Sequence, residues 1–227
     1  MSTTDRSERV TFGAGGRELS GLWSEAGTAR AVAAVAHGAG AGMEHPFMEG
    51  VAAGLVESDV AAFRFNFPYA EAGRRSPDRA PVLLEAWRGA LEESGRRANG
   101  RPVVAGGKSL GGRMASMLAA EMGGMFPAVA LVFFGYPLHA PGRPEKLRDA
   151  HLSSIRIPML FIQGTADALA TFGLVEELVE RLGPPARLHP VEGGDHSFRV
   201  RGKRRTDEEI GRELAAVAAR FVREVIG

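Results

Sequence analysis

The amino-acid sequence predicts an α/β fold, a doubly wound and mostly parallel sheet with helices on both faces. Three observations predict this class. Short apolar runs without alternation recur along the chain, segments of helical period lie between them, and the two kinds of segment alternate roughly every 30 residues. Continuous apolar runs are typical of strands buried on both faces of a parallel sheet. Strands that alternate with helices form such a sheet through crossover connections.

The extended segments come first. Arg9–Phe12 and Glu18–Trp23 are separated by Gly13, Gly15 and Gly16, and this pattern predicts an N-terminal hairpin. Six later apolar runs have the length and composition of buried strands: Ala31–Ala36, Ala61–Phe65, Pro102–Ala105, Ala128–Phe134, Met159–Ile162 and Arg187–Val191.

Five segments carry apolar residues at helical spacing. They are Met48–Val56, Val82–Leu91, Leu110–Met122, Leu174–Leu182 and Ile210–Val225. The fourth is closed by Gly183-Pro184, a helix stop signal. Thr206 and Glu209, three positions apart, predict a capping box at the start of the last helix.

A chain of 227 residues is the size of one domain, so we expect a single domain over residues 1–227. The two long irregular stretches, Phe67–Arg79 and Tyr136–Arg156, both follow strands, at the sheet edge where α/β proteins place their ligands. Neither is long enough for a separate lid domain. We therefore expect an open site.

Composition excludes several classes of function. The chain has 28 Lys plus Arg and 27 Asp plus Glu, a net charge of +1, which predicts no nucleic-acid or membrane partner. The basic cluster Arg199–Arg205 is interpreted as a solvated loop. There is no cysteine, so disulfides and cysteine-ligated metal sites are excluded. Met1–Val10 lacks the apolar region of a secretory signal, which predicts a cytoplasmic protein.

Gly107-Lys108-Ser109-Leu110-Gly111 has the pattern Gly-x-Ser-x-Gly and lies between a predicted strand and a predicted helix. Flanking glycines allow the tight turn, and the serine at its apex is held with Oγ clear of the backbone. The helix that follows directs its N-terminal amides at the reacting centre. This context predicts that Ser109 is a nucleophile.

The same motif has two other interpretations. Gly-Lys-Ser also ends the phosphate-binding P-loop, but that motif needs a glycine five positions before Gly107, where Pro102 stands. Proline has no N–H to give a phosphate, so the P-loop is excluded. An ordinary strand-to-helix turn is the alternative that this motif alone leaves open.

A serine nucleophile of this type needs an acid after a later strand and a histidine after the last one. Asp167 follows the run Met159–Ile162, and His196 follows Arg187–Val191 after a Gly-Gly turn. The order therefore predicts a triad of Ser109, Asp167 and His196. The rival acids are Asp195, whose side chain should diverge from that of its neighbour His196, and Asp149 and Glu192, which are less favoured by position.

His37-Gly38-Ala39-Gly40 follows the strand Ala31–Ala36, where a glycine-rich loop can approach an acyl carbonyl. We expect the backbone N–H groups of Ala39 and Leu110 to form an oxyanion hole, with Gly38 and Gly40 as alternatives to Ala39. A plain strand-to-helix turn is the other interpretation of this loop.

The substrate pocket is expected to draw on the two irregular stretches. Its candidate residues are Phe67, Pro68, Tyr69, Arg74, Tyr136 and His139. The alternative is that these side chains only pack the sheet edge. Arg74 and Arg75 suggest a preference for an acidic acyl or alcohol group.

The sequence resembles the small α/β-hydrolases related to dienelactone hydrolases, and within them the compact group whose nucleophile loop reads Gly-Lys-Ser-Leu-Gly-Gly-Arg. The resemblance rests on six stretches: 107–113, 37–40, 64–69, 135–139, 163–167 and 193–196. It implies an α/β-hydrolase fold without a lid and a serine hydrolase that needs no cofactor and no metal. Dienelactone hydrolases themselves use a cysteine nucleophile, which this chain lacks.

The resulting hypothesis is a serine hydrolase that cleaves a carboxylic ester-type bond of a small-molecule acyl substrate through an acyl-enzyme intermediate. Acyl transfer to an acceptor other than water and peptidase activity are variants of this hypothesis. The alternative from a different class is a scaffold or binding protein on a hydrolase fold, with a vestigial triad. The sequence ranks neither the substrates nor the oligomeric states.

Overall fold

The computed structural model describes residues 7–227. Eight strands lie in this range: Glu8–Ala14 (β1), Arg17–Ser24 (β2), Ala31–Ala36 (β3), Val60–Phe65 (β4), Val103–Lys108 (β5), Ala130–Phe134 (β6), Met159–Gly164 (β7) and Ala186–Val191 (β8). The α-helices of the same range are Pro46–Val56 (α1), Pro68–Glu71 (α2), Ala80–Ala98 (α3), Leu110–Met122 (α4), Phe172–Leu182 (α5) and Asp207–Ile226 (α6).

All eight strands form one sheet in the order β1-β2-β4-β3-β5-β6-β7-β8. The hairpin β1–β2 and the pair β2–β4 are antiparallel, and every other neighbouring pair is parallel. The central strands β3 to β7 are buried along nearly their whole length. This burial explains their continuous apolar sequence, because both faces of each strand meet helices.

A hydrophobic core lies on each face of the sheet. One core joins side chains of α3, α4 and α5, such as Trp87 and Leu118, to the sheet. The other joins α1 and α6, with Val51 and Leu214 buried between them and the sheet. Helices therefore cover both faces, and the predicted doubly wound, mostly parallel α/β fold is confirmed.

The predicted elements agree with the structure to within a few residues at most boundaries. The capping box of α6 is present, with the Thr206 side chain accepting from the Glu209 N–H. Two predictions need correction. Helix α3 continues to Ala98, seven residues beyond the predicted Leu91, and the stretch Phe67–Arg79 contains the four-residue helix α2. Proline in the first turn starts each of these two helices, because its fixed φ is compatible with a helix there.

Across residues 7–227, the helices are too short or too polar to span a lipid bilayer.

Candidate active site

Ser109 lies at the turn between β5 and α4. Its backbone has φ 49° and ψ −111°, in the positive-φ region that costs a non-glycine residue of order 1–3 kcal/mol. Two backbone hydrogen bonds hold this conformation: the Ser109 N–H donates to the carbonyl of Phe134 at 3.1 Å, and the Arg113 N–H donates to the Ser109 carbonyl at 3.0 Å. The surrounding structure therefore maintains the strained backbone that the Gly-x-Ser-x-Gly pattern predicts.

The glycines on either side of Ser109 are required by close packing against β3. A β-carbon at Gly107 or at Gly111 would lie 2.3 Å from the carbonyl oxygen of Ala36. Backbone atoms of a central strand cannot move away at low cost, because protein interiors are densely packed. The turn thus fits beside β3 only if both positions lack a side chain.

The side chains of Ser109, His196 and Asp167 form one hydrogen-bonded chain. The Oγ of Ser109 lies 2.9 Å from Nε2 of His196, and Nδ1 of His196 lies 2.7 Å from Oδ2 of Asp167. The Asp167 side chain is fully buried, whereas that of His196 is 26% exposed. The three residues follow β5, β8 and β7, whose carboxyl ends meet at one edge of the sheet.

Asp167 is held by two further donors. Nε2 of Gln163, at the end of β7, donates to Oδ2 at 2.6 Å, and the Leu169 N–H donates to Oδ1 at 2.7 Å. These bonds fix the carboxylate toward His196 and satisfy it in a buried place, where an unpaired charge would be costly.

The rival acids are engaged elsewhere. The carboxylate of Asp195 accepts from the N–H groups of Ser197 and Arg199, so it closes the loop around His196 and does not bind the imidazole. Asp149 pairs with Arg181, and Glu192 accepts from Thr165. Among the described residues, Asp167 is the carboxylate that contacts His196.

Lys108, inside the Gly-x-Ser-x-Gly pattern, contacts the loop that carries His196. Its Nζ donates to the His196 carbonyl at 2.6 Å and lies 5.4 Å from the ring centroid of Phe198. Burial lowers the pKa of Lys108 to about 8, and the carboxylates of Asp167 and Asp195 oppose this shift. The lysine therefore ties the serine turn to the main chain of the histidine.

His37 and Tyr69 fix the loop after β3. The Phe67 N–H donates to Nε2 of His37 at 3.1 Å, so the ring proton is on Nδ1, which donates to the Gly38 carbonyl at 2.8 Å. The Tyr69 hydroxyl donates to the same carbonyl at 3.2 Å. Burial lowers the pKa of His37 to about 4 and raises that of Tyr69 to about 12, so both groups stay neutral near pH 7.

Within residues 7–227, the backbone N–H groups of Ala39 and Leu110 donate to no protein acceptor. Leu110 follows Ser109 at the first position of α4, and Ala39, in the loop fixed by His37, lines the same cleft as Ser109. An N–H group without an internal partner at a helix N-terminus is available to an anionic oxygen. The same holds for Gly38 and Gly40, so Ala39 is not distinguished from them by hydrogen bonding.

A cleft of about 320 Å³ opens beside Ser109 and His196. It lies between the loop after β3, the start of α1, and the loop after β8. Its apolar lining consists of Ala39, Ala41, Phe47, Met48 and Leu169. Its polar lining includes His45, Lys108, Ser197, Arg199 and Asp207.

The prediction of the pocket residues is wrong for this cleft. Its lining does not include Phe67, Tyr69, Arg74, Tyr136 or His139. The four ring side chains are at most 3% exposed and pack in the interior. Burial of apolar surface stabilises the folded state by about 25 cal/mol per Å², which favours a position in the core for these side chains. Arg74 instead forms an exposed ion pair with Asp78, so the idea that it selects acidic substrates loses its basis.

Several residues around the site were missed from the sequence. Gln163, Lys108 and His45 have no motif of their own. His45 is the N-cap of α1, where its Nδ1 accepts from the Phe47 N–H, so a neutral ring carries its proton on Nε2, and the residue lines the cleft. The one signal in the sequence was position, since Lys108 precedes Ser109 directly and Gln163 lies four positions before Asp167.

Across the described part of the chain, no group of three His, Asp or Glu side chains has metal-binding geometry.

The chain matches the family described as alpha/beta hydrolase domain over residues 29–225. Solved structures with a similar fold include a dienelactone hydrolase from Anabaena variabilis, at 21% identity and TM-score 0.77, with 97% of this chain and 98% of that chain covered. A second is a serine hydrolase without lid from Xanthomonas campestris, at 19% identity and TM-score 0.73, with 98% and 97% covered.

A third similar structure is an esterase from Pyrococcus furiosus, at 15% identity and TM-score 0.76, with 99% of this chain and 93% of that chain covered. At these identities the solved structures establish the fold. The family match covers most of the sequence, including all the residues of the hydrogen-bonded chain. The protein therefore belongs to the α/β-hydrolase family and is related in fold to the compact, dienelactone hydrolase-like members that lack a lid.

Proposed function

We propose that this hydrolase cleaves an acyl bond of the carboxylic ester type, with Ser109 as nucleophile, His196 as general base and acid, and Asp167 as the group that orients the imidazole. The observation that carries the proposal is the continuous hydrogen-bonded chain from Ser109 Oγ through His196 to Asp167, with distances of 2.9 and 2.7 Å. A hydroxyl so placed can lose its proton to Nε2 as it attacks a carbonyl carbon.

The steps of the reaction follow from this geometry. Attack by Oγ produces a tetrahedral intermediate whose oxyanion accepts from the N–H groups of Leu110 and of the loop Gly38–Gly40. His196 then returns the proton to the leaving alcohol, and an ester remains on Ser109. Water, activated by the same imidazole, attacks this ester, releases a carboxylic acid and restores the serine.

The size and lining of the cleft favour a short acyl chain. A volume of about 320 Å³ lies at the lower end of the range for small-molecule sites. Small and apolar side chains, Ala39, Ala41 and Leu169 among them, form part of the lining and offer no charge to an acyl tail. We therefore propose small neutral esters as the first substrates to test.

Labelling with a fluorophosphonate probe tests this function against a scaffold role. The probe reacts with a serine only when its hydroxyl is activated. We expect mass spectrometry to find the label on Ser109 and not on Ser197, which also lines the cleft. A Ser197→Ala variant serves as the matched control and should retain the label. Folded protein that takes up no label would contradict the proposal and support a scaffold with a vestigial site.

A further inference from the structure

The guanidinium of Arg113, on α4, forms no ion pair with any carboxylate of residues 7–227. Its Nε is buried and has no hydrogen-bond partner among these residues. Within residues 7–227, the rest of the guanidinium also forms no hydrogen bond or ion pair with another side chain or carbonyl. Burial lowers the pKa of Arg113, and the positive charge of Arg148 adds to this effect. A half-buried cation without a neighbouring anion raises the free energy of the folded state, and a bound anion would lower it.

Arg113 lines a cavity of about 560 Å³ on the face of α4 toward the connection between β6 and β7. Arg148, which also lines it, is exposed and its side chain has no ion pair among the described residues. Two carboxylates border the cavity, but Glu121 pairs with Arg88 and Asp149 pairs with Arg181. The two arginines therefore face the cavity without a carboxylate of their own.

The remaining lining of this cavity includes the polar residues His151 and Ser154 and four apolar residues. The apolar residues are Met117, Ala120, Leu147 and Ala150, and Leu147 is an exposed large hydrophobic residue. Guanidinium groups present planar pairs of N–H donors that match a carboxylate, and apolar side chains match a hydrocarbon tail. The two kinds of lining thus fit the two ends of one amphipathic molecule.

We propose that Arg113 and Arg148 form a binding site for a small carboxylate with a short apolar tail, separate from the cleft at Ser109. The site does not depend on the proposed ester cleavage, because none of its lining residues lines that cleft. It is connected to the serine turn through α4, since the Arg113 N–H donates to the Ser109 carbonyl. A ligand here would neutralise the charge that the fold leaves unpaired.

Calorimetric titration of the full chain with hexanoate tests this site. We expect one site with a Kd of about 1 mM or tighter, and acetate, which lacks the tail, should bind at least about ten-fold more weakly. Arg113→Met should abolish hexanoate binding, and Arg148→Gln should weaken it by about ten-fold. Arg143→Gln is the matched control, because Arg143 is exposed in the same connection and does not line the cavity.

Thermal unfolding gives a second, independent readout. Because Arg113→Met removes a half-buried charge that has no carboxylate partner among the described residues, the ligand-free variant should unfold at the same temperature as the wild type or higher. Hexanoate binding that persists in Arg113→Met would place the ligand elsewhere and overturn the proposal. A lower unfolding temperature for this variant, with binding intact in Arg148→Gln, would also overturn it. If inorganic phosphate bound as tightly as hexanoate, the proposal that the ligand is a carboxylate with an apolar tail would be refuted.

Discussion

Oδ2 of Asp167 accepts hydrogen bonds from Nδ1 of His196 and from Nε2 of Gln163, at 2.7 and 2.6 Å. Oδ1 accepts from the Leu169 N–H, so both oxygens of the carboxylate act as acceptors, whereas an amide offers only one acceptor oxygen. The ring proton of His196 is therefore kept on Nδ1 and its Nε2 is left to accept from Ser109. This contact supports Asp167 as the acid of the proposed triad more directly than chain order does.

Asp167→Asn should lower kcat for p-nitrophenyl acetate by about 10⁴ with little change in fold, because the amide favours the wrong tautomer of His196. Steady-state kinetics and circular dichroism check this expectation. Asp195→Asn is the matched control, since one carboxylate oxygen of Asp195 accepts from the backbone N–H groups of Ser197 and Arg199, and an amide oxygen can replace it there. A larger loss in Asp195→Asn than in Asp167→Asn would show that the acid is misassigned.

Lys108→Met should lower kcat by about ten-fold, because the loop with His196 loses the donor that binds its carbonyl. The effect should fall on kcat more than on KM, since the variant displaces the base and keeps the apolar lining of the cleft. Lys203→Met, an exposed change outside the cleft, should leave both constants as they are. Wild-type kcat in Lys108→Met would mean that the lysine does not position His196.

His37 should make stability depend on pH on the acid side of neutrality. Burial lowers its pKa from 6.5 to about 4, so between these values the unfolded chain binds a proton that the folded chain does not. The free energy of unfolding should therefore fall as pH falls through this window. The proton would also remove the acceptor for the Phe67 N–H.

Urea unfolding at pH 7 and pH 5 measures this contribution. Between these pH values the wild type should lose about 2 kcal/mol more stability than His37→Gln, which has no titrating group at this position. Other histidines contribute equally to both proteins and cancel in the comparison. An equal loss of unfolding free energy in both proteins would show that His37 is not held neutral in the folded state.

Gly111→Ala should destabilise the protein by about 3 kcal/mol, because the added methyl group overlaps the Ala36 carbonyl oxygen. Gly173→Ala, in α5, is the matched control: its added β-carbon has no atom within 4 Å, and alanine favours a helix. The control should be as stable as the wild type or more stable, by up to about 1 kcal/mol. Chemical denaturation of both variants checks the difference, and equal stabilities would contradict the packing described for the serine turn.

The fold could be predicted because its signals are local. The apolar runs at Ala31–Ala36 and Met159–Ile162 are strands with nearly the predicted bounds, since residues buried on both faces leave a continuous apolar pattern. The meeting of Ser109, Asp167 and His196 was also predictable. Parallel strands bring their carboxyl ends to one edge, so three residues after three such strands come together however far apart they lie in sequence.

The walls of the cleft could not be predicted in the same way. Tyr136 and Phe67 follow strands, as site residues do, but their large rings are buried in the core. The cleft is instead bordered by His45 and Phe47 at the start of α1 and by Arg199 after β8. Which loop faces Ser109 depends on how α1 and α6 pack against each other and against one face of the sheet. No local sequence pattern encodes that packing.

If Ser109 performs the nucleophilic attack, Ser109→Ala should lose turnover of p-nitrophenyl acetate while it keeps its fold. The variant removes one oxygen atom from a half-buried position, so its circular dichroism and unfolding midpoint should match those of the wild type. Its kcat should fall by about 10⁶, to the limit of detection. Turnover by folded Ser109→Ala within ten-fold of the wild-type rate would show that Ser109 is not the nucleophile.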